Sequence, residues 1–121
     1  MAATIANLVR ITGQHDVWGG HAMESFLYTG PATYAPGVNG GDEVDAISFT
    51  KGSQTNLRTI GVIMPAVTVS GLYNIVPQPL SLSSRGWPAS WVLRWIVISS
   101  GLEAAAVGLS GEQAIITIVG D

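Results

Sequence analysis

The alternation of apolar and polar positions along the chain predicts strands rather than helices. The clearest segment is WVLRWIVIS, residues 91–99, whose length and β-branched content favour a strand. One face of this strand carries Trp91, Leu93, Trp95 and Val97, and the other carries Val92, Arg94, Ile96 and Ile98. Both faces are apolar apart from Arg94, so we expect both to be covered. Trp91, Arg94, Trp95, Ile96 and Ile98 are therefore predicted to lie in the core or in an oligomer interface.

The same pattern predicts further strands, which punctuating glycines and prolines separate. They are residues 4–11, 23–29, 58–64, 66–70, 72–76 and 113–120, with 44–49 a strand or a short turn of helix. Segments 34–43 and 50–56 are predicted loops, and we expect that 77–90 cannot hold regular structure for long because three prolines and Gly86 interrupt it. Ser100 and Glu103 have capping-box spacing, which predicts at most a turn or two of helix, or an irregular connection, over 100–109.

These elements predict a single all-β domain, a β-sandwich or small β-barrel with long Gly/Pro loops and at most one short helix. The chain has 121 residues, the length of one domain. No segment resembles a linker that would divide it.

The low charge content is the most unusual feature of the composition. Charged residues make up 11% of the chain, against roughly 25% in typical domains. Because a small domain has much surface for its volume, we expect part of that surface to be buried against another copy of the chain. The net charge is −3 and no basic stripe is present, so we expect no nucleic-acid partner.

The composition also limits cofactors and membrane association. The chain has no cysteine, which excludes disulfides and cysteine-based metal sites. Residues 60–84 carry no charge, but prolines, Asn74 and Gln78 interrupt them well short of the ~18 apolar residues that a spanning helix needs. The N-terminus lacks the basic and apolar regions of a signal peptide. We expect no membrane partner.

The stretch QHDVWGGHAME, residues 14–24, contains both histidines of the chain, with Asp16 and Glu24 beside them. His15 and His21 are six residues apart, and a hairpin closed at Gly19-Gly20 would bring them near one another. Polar turns between strands are far more common than metal sites of this spacing. We therefore predict a turn and no metal.

Other catalytic patterns are equally weak. Asp42, Glu43 and Asp45 do not have the spacing of a calcium-binding loop, and no nucleophile elbow is present. We predict that the protein is not an enzyme and has no cofactor. Trp87, Trp91 and Trp95 would suit an aromatic platform for a sugar, but their apolar neighbours favour a core or a subunit interface.

Two stretches resemble a known family. YTGPATYAPGVNGGDEVD and the ending GLSGEQAIITIVGD, with RTIGVIMPAV and the Trp/Arg strand between them, are similar to small capsid decoration proteins of tailed bacteriophages, also called cement or head-stabilising proteins. The similarity spans residues 25–120. The loop VNGG is longer than the Gly-Gly-Asp typical of the group.

The resemblance implies a structural virion protein on the exterior of the capsid, made in the host cytoplasm. Its partners would be the major capsid protein, whose subunit contacts it stabilises, and other copies of itself in a homo-oligomer, most commonly a trimer. The alternatives are a carbohydrate-binding or adhesion module and a head–tail or tail structural protein.

The N-terminal segment is interpreted in two ways. Residues 1–12 are either the first strand of the domain or an arm that attaches to the capsid, and residues 13–121 form the decoration domain. In the arm interpretation the capsid contacts are Thr4, Ile5, Leu8, Val9, Arg10 and Ile11, because an extended segment can add to the edge of a partner's sheet.

Overall fold

A computed structural model of the protein describes residues 4–18, 21–38, 40–45, 60–82 and 88–120, which form strands and no helix. The strands are β1 (Thr4–Ile5), β2 (Asn7–Trp18), β3 (His21–Thr29), β4 (Asp42–Asp45), β5 (Ile60–Ile63), β6 (Ala66–Val67), β7 (Tyr73–Leu82), β8 (Pro88–Val97) and β9 (Gln113–Gly120). The all-β prediction is thereby confirmed.

The strands form two sheets. One has five strands in the order β1-β4-β8-β7-β6, and the other has four in the order β2-β3-β9-β5. Every pairing among these described strands is antiparallel except that of β1 with β4. The N-terminal segment contributes to both sheets, because β1 lies in the first and β2 begins two residues later in the second.

The core lies between the sheets. It is built mainly from inward-facing aromatic and aliphatic side chains of both, of which Trp95, Tyr28 and Phe26 are the largest fully buried ones, and Tyr34 of the loop after β3 joins them. The predicted alternation on β8 is confirmed, since Trp91, Leu93 and Trp95 are buried together. Trp95 packs edge-on against Tyr73 with ring centroids 5.4 Å apart. Burial of several aromatic rings supplies much of the apolar area that stabilises a small domain.

The expectation that residues 77–90 hold regular structure only briefly is not met in the part that the structure describes, where 77–82 and 88–90 belong to strands. β7 runs through Pro77 and Pro79 to Leu82, and β8 begins at Pro88. A proline fits a ladder where its nitrogen points away from the partner strand, as it does on an edge. In the described chain β6 pairs only with residues 74 and 75, so β7 is an edge strand at both prolines.

Residues 98–112 form an irregular connection without helix, one of the two outcomes expected for this stretch. Ser100 and Glu103 do not form a capping box: the Ser100 hydroxyl accepts a hydrogen bond from the Leu102 amide, and Glu103 forms a bridge with Ile96 of β8. The bridge directs the Glu103 carboxylate toward the loop between β3 and β4. Predicted elements at residues 46–59 and 83–87 lie outside the described residues, as does Arg58.

Candidate interaction surface

A buried polar cluster connects the two sheets. The Tyr28 hydroxyl on β3 donates a hydrogen bond to the Asp42 carboxylate on β4 and accepts one of 2.8 Å from the Trp95 indole on β8. Asp42 is 1% exposed. Burial, reinforced by the negative Asp42, raises the pKa of Tyr28 far above its ordinary value of 10.0. The hydroxyl therefore stays protonated and holds β3 against β4 and β8.

A second polar cluster lies at the surface. The Glu103 carboxylate accepts hydrogen bonds from Tyr34 (2.6 Å), the Gly37 amide (3.1 Å) and Arg94 (3.2 Å). Partial burial favours the neutral acid, but these three hydrogen bonds outweigh it, so the pKa of Glu103 lies below its ordinary value. Burial and the neighbouring Glu103 together raise the pKa of Tyr34 to about 12. The cluster joins β8, the connection after it and the β3–β4 loop.

The surface cluster holds the β3–β4 loop in one conformation. The Arg94 guanidinium donates hydrogen bonds to the carbonyl oxygens of Gly37 and Val38 as well as to Gln78. Gly37 has a φ of 100°, which residues with side chains rarely adopt. Val38, next to it, is 88% exposed at the tip of this loop. The exposed Val38 side chain therefore lies on a loop that is held in place, because Arg94 binds the carbonyl oxygens of Gly37 and Val38.

The outward surface of the four-stranded sheet, which we call the four-stranded face, is a candidate for protein binding and is larger than the single exposed Val38. Val9, Leu27 and Ile115 lie directly opposite one another on β2, β3 and β9. Val9 and Ile115 are more than half exposed, and Leu27 is half-buried. They form a continuous aliphatic row across three strands. Contiguous apolar rows at a surface commonly mark protein contacts.

Neutral polar side chains flank this row. The rows beside it are Asn7, Thr29 and Gln113 on one side and Ser25 and Thr117 on the other, followed by a second aliphatic row of Met23, Val119 and Val62, in which Val119 is buried. The two hydroxyls of Ser25 and Thr117 are 3.1 Å apart, and Gln113 donates to Thr29. The aliphatic row and the two polar rows beside it contain no charge at their described positions, whereas the next row also contains Asp16, opposite Met23 on β2. The centre of the face therefore offers hydrogen bonds and apolar contact to a partner without unpaired charge.

The structure places the predicted capsid-contact residues in the domain's own sheets. Thr4 and Ile5 pair with Asp42 and Glu43, while Leu8, Val9 and Arg10 pair with residues of β3. Leu8 is buried in the core. Ile11 is half-buried and Val9 is exposed. The segment is therefore a pair of strands, and of the proposed contact residues whose side chains are described Val9 is the exposed one.

The residues predicted for the core or an oligomer interface divide between the core and the surface of the domain. Trp91 and Trp95 are core residues, 8% and 0% exposed. Arg94 is bound to Glu103 of its own chain. Ile96 is half-buried on the outward side of β8, and Ile98 is exposed just after its end.

The core tryptophans do not form a sugar platform. The Trp91 indole donates to the Ile60 carbonyl oxygen at 3.1 Å, and that of Trp95 donates to Tyr28, so both polar groups are used inside the protein. Trp87 lies outside the described residues.

The two histidines are on paired strands but not opposite one another. The hairpin of β2 and β3 places His15 opposite Glu24 and His21 opposite Trp18. Gly19 and Gly20 lie outside the described residues. No group of three or more metal-ligating side chains occurs in the part that the structure describes. That part also contains no helix long and apolar enough to cross a membrane. The absence of a metal stays a prediction.

Comparison with known proteins gives no relative. No family model, curated protein or solved structure matches the chain significantly. The resemblance to phage decoration proteins accordingly stays a prediction that the quoted residues alone support.

Sequence reasoning missed most of the four-stranded face. Leu27 and Ile115 sit in predicted strands, but cross-strand register decides which side chains become neighbours. The pattern of β9 contained a usable signal, because Gln113, Ile115 and Thr117 alternate with the buried Ala114 and Ile116. Pairing that alternation with β3 and β2 requires the fold.

Proposed function

We propose that the protein is a structural subunit-binding protein that decorates the outside of a bacteriophage capsid. The observation that supports it best is the four-stranded face, with its aliphatic row of Val9, Leu27 and Ile115 between uncharged polar rows. Such a surface suits a protein partner, whose backbone amides and apolar side chains match it. The low charge of the whole chain supports the same interpretation.

The mechanism is physical rather than chemical. A capsid shell resists internal pressure through contacts between its subunits, and a protein bound across a seam adds further contacts. Each apolar side chain buried in such a contact contributes about 1.5–3 kcal/mol before the costs of association. A protein that contacts two subunits gains from effective concentration, since the second contact forms within one complex. The four-stranded face would lie against the shell.

The carbohydrate-binding alternative loses its main support. The proposed platform needs exposed rings, whereas Trp91 and Trp95 are buried with their indole N–H groups bonded internally. A head–tail or tail structural protein would use the same kind of face, and the experiment below separates it from a decoration protein by the particle that is bound.

The test is co-sedimentation with heads and, separately, with tails from the phage that encodes the chain, prepared without it. Wild-type protein is expected to pellet with heads and to raise the temperature at which they break. Replacing Val9 and Ile115 together by glutamate is expected to weaken binding at least about 100-fold, because two charges would be desolvated in the contact. Failure of the wild-type protein to bind heads would refute the decoration function, and binding to tails alone would favour the tail protein.

A matched control tests whether the four-stranded face itself makes the contact with the capsid, independently of whether the protein binds heads at all. Val107 is also exposed but lies in the connection after β8, away from the four-stranded face. V107E should bind heads like the wild type. Equal binding by the V9E/I115E variant, with an unchanged circular dichroism melt, would show that another surface contacts the capsid.

A further inference from the structure

The β3–β4 loop is anchored to the domain near its start and at its end. The Pro31 carbonyl oxygen accepts a hydrogen bond of 2.9 Å from the Leu109 amide. The Tyr34 amide donates one of the same length to the Val107 carbonyl oxygen, and the Tyr34 ring is buried in the core. At its other end the loop enters β4 at Asp42. These anchors use backbone groups and a buried ring, so they do not depend on a charge at the surface.

The tip of the loop, Gly37 and Val38, is held in a different way. In the part of the chain that the structure describes, its hydrogen bonds to other elements involve two charged side chains. The Gly37 amide donates to the Glu103 carboxylate, and the Arg94 guanidinium donates to the carbonyl oxygens of both tip residues. Both tip residues are exposed. The position of the tip therefore depends on one pair of opposite charges.

This pair of charges is accessible to solvent. The nitrogen of Arg94 and the oxygen of Glu103 are 3.2 Å apart, and the two side chains are 14% and 29% exposed. A proton can reach Glu103 without unfolding of the core. Protonation removes the negative charge that attracts Arg94. It also weakens the bond from the Gly37 amide, because a hydrogen bond to a charged group is about twice as strong as a neutral one.

The ordered tip has an entropic cost that these hydrogen bonds offset. Glycine loses more conformational freedom on ordering than any other residue, and Gly37 is fixed at a φ of 100°. The cost of fixing the backbone of two residues is comparable with the net contribution of a few hydrogen bonds. The closed and open states of the tip are therefore close in free energy, and a change of one charge is enough to shift the balance between them.

Glu103 is the group of the surface cluster that changes its charge in acid. The groups that face it are Arg94 on β8 and Tyr34 in the loop. Arg94 stays protonated at all ordinary pH values. Burial and the hydrogen bond to Glu103 raise the pKa of Tyr34 to about 12, so its hydroxyl also keeps its proton. Glu112, the other acidic residue of the connection after β8, binds Ser70 instead.

The direction of the pH effect follows from the pKa of Glu103. Partial burial raises this pKa, but the hydrogen bonds from Tyr34, Gly37 and Arg94 together lower it further, so it lies below its ordinary value of 4.5. A carboxyl group with a lowered pKa in the closed state stabilises that state above its ordinary pKa. This stabilisation is lost as the pH falls from 4.5 through the lowered value.

We propose that the tip of the β3–β4 loop is an acid-released latch, closed on β8 while Glu103 is ionised and open once this carboxylate takes up a proton. In the closed state Val38 is held in one position. In the open state the anchors at Tyr34 and at β4 stay in place. The inference goes beyond the proposed function, because it concerns a loop outside the four-stranded face. It is tested on the free protein without heads, so either proposal can fail alone.

Amide hydrogen exchange of the full chain, followed by NMR from about pH 3 to pH 7, tests the latch. The protection factor of the Gly37 amide, corrected for the intrinsic pH dependence of exchange, should fall at least about tenfold from the neutral to the acidic end. The Tyr34 amide belongs to an anchor and should keep its protection. Glu103→Gln should give low protection at Gly37 at every pH, because the amide side chain has no charge to lose.

Glu112→Gln is the matched control, because it neutralises the other described acid of the same connection. Its Gly37 amide should exchange like that of the wild type. Equal protection of Gly37 at both ends of the pH range in the wild type would overturn the latch, and this series decides even if E103Q does not fold. Wild-type protection in a folded E103Q would overturn it too. Parallel loss of protection at Tyr34 would do the same, because more than the tip would then open.

Discussion

The two tyrosine–carboxylate clusters use the same pair of groups for different purposes. In the buried cluster Tyr28 donates to a carboxylate that is closed off from solvent between the sheets. In the surface cluster Tyr34 donates to Glu103, which also binds a cation and a backbone amide. The first connects strands that are already in the core, and the second fixes a loop at the surface.

The contrast indicates where each polar group contributes stability. A buried carboxylate depends on every hydrogen bond it accepts, because water cannot replace a missing donor. A half-exposed carboxylate keeps access to water, so the loss of one partner costs less. We therefore expect the buried cluster to govern global unfolding and the surface cluster to govern the order of the β3–β4 loop.

The largest effect is expected from Asp42→Ala. It removes the acceptor of the Tyr28 hydroxyl and leaves that donor buried, which should lower the free energy of unfolding by about 3 kcal/mol in urea titrations. Asp42→Asn should cost less, because its carbonyl oxygen still accepts the hydrogen bond. The control is Glu43→Ala, the next residue on β4, which is only half-buried. If the two alanine variants were equally stable, the buried cluster would not have the role assigned here.

The next effect is expected at Gly41, which joins the loop held by the surface cluster to Asp42 of the buried one. Its φ is 90°, and a Cβ there would overlap Cγ2 of Val92. Gly41→Ala should therefore destabilise by about 3 kcal/mol, of which positive φ accounts for about 1–2 kcal/mol. Gly71→Ala isolates the backbone part, since Gly71 has a φ of 76° and an added methyl group there would meet no other atom within 4 Å. Equal melting temperatures for the two variants would mean that position 41 tolerates the added carbon beside Val92.

The third effect is the pH dependence in alkali. The pKa of Tyr34 is raised from 10.0 to about 12 in the folded chain, so the unfolded chain releases this proton first. Stability should fall as pH rises from about 10 to 12, by about 1.4 kcal/mol per pH unit for each such tyrosine. Tyr34→Phe should make this decline shallower in urea titrations at fixed pH values.

The same titrations test the buried cluster as well. Tyr28→Phe should also flatten the decline, because the pKa of Tyr28 is raised in the same direction, chiefly by burial. A slope that neither Tyr34→Phe nor Tyr28→Phe alters would contradict both assignments.

The strands were largely predictable because the pattern of side chains is local. β9 has the predicted bounds, and the two faces of β8 alternate as its sequence indicates. The prolines at 77 and 79 led to a wrong prediction because their effect depends on whether the strand is central or at an edge, which the sequence alone does not reveal. The role of Glu103 was missed for a related reason: its partners Tyr34 and Gly37 are 69 and 66 residues away.

The candidate surfaces were less predictable than the core. Arg94 stands out in the sequence as the one charge on an apolar strand, but its partner lies nine residues away in its own chain. Val9 was one of six residues proposed for capsid contact, and its exposed neighbours Leu27 and Ile115 follow only from register. A surface of this kind is assembled from single residues of several strands, so no contiguous motif encodes it.

The prolines of β7 also bear on how a chain with so little charge avoids aggregation at high local concentration. An exposed strand edge with free N–H groups is a template on which identical chains stack into amyloid. Pro77 and Pro79 have no N–H to offer along the described edge of β7, so a second molecule cannot continue the ladder there. Growth of a fibril by addition of strands at this part of the edge is thereby disfavoured, which matters most where copies are crowded.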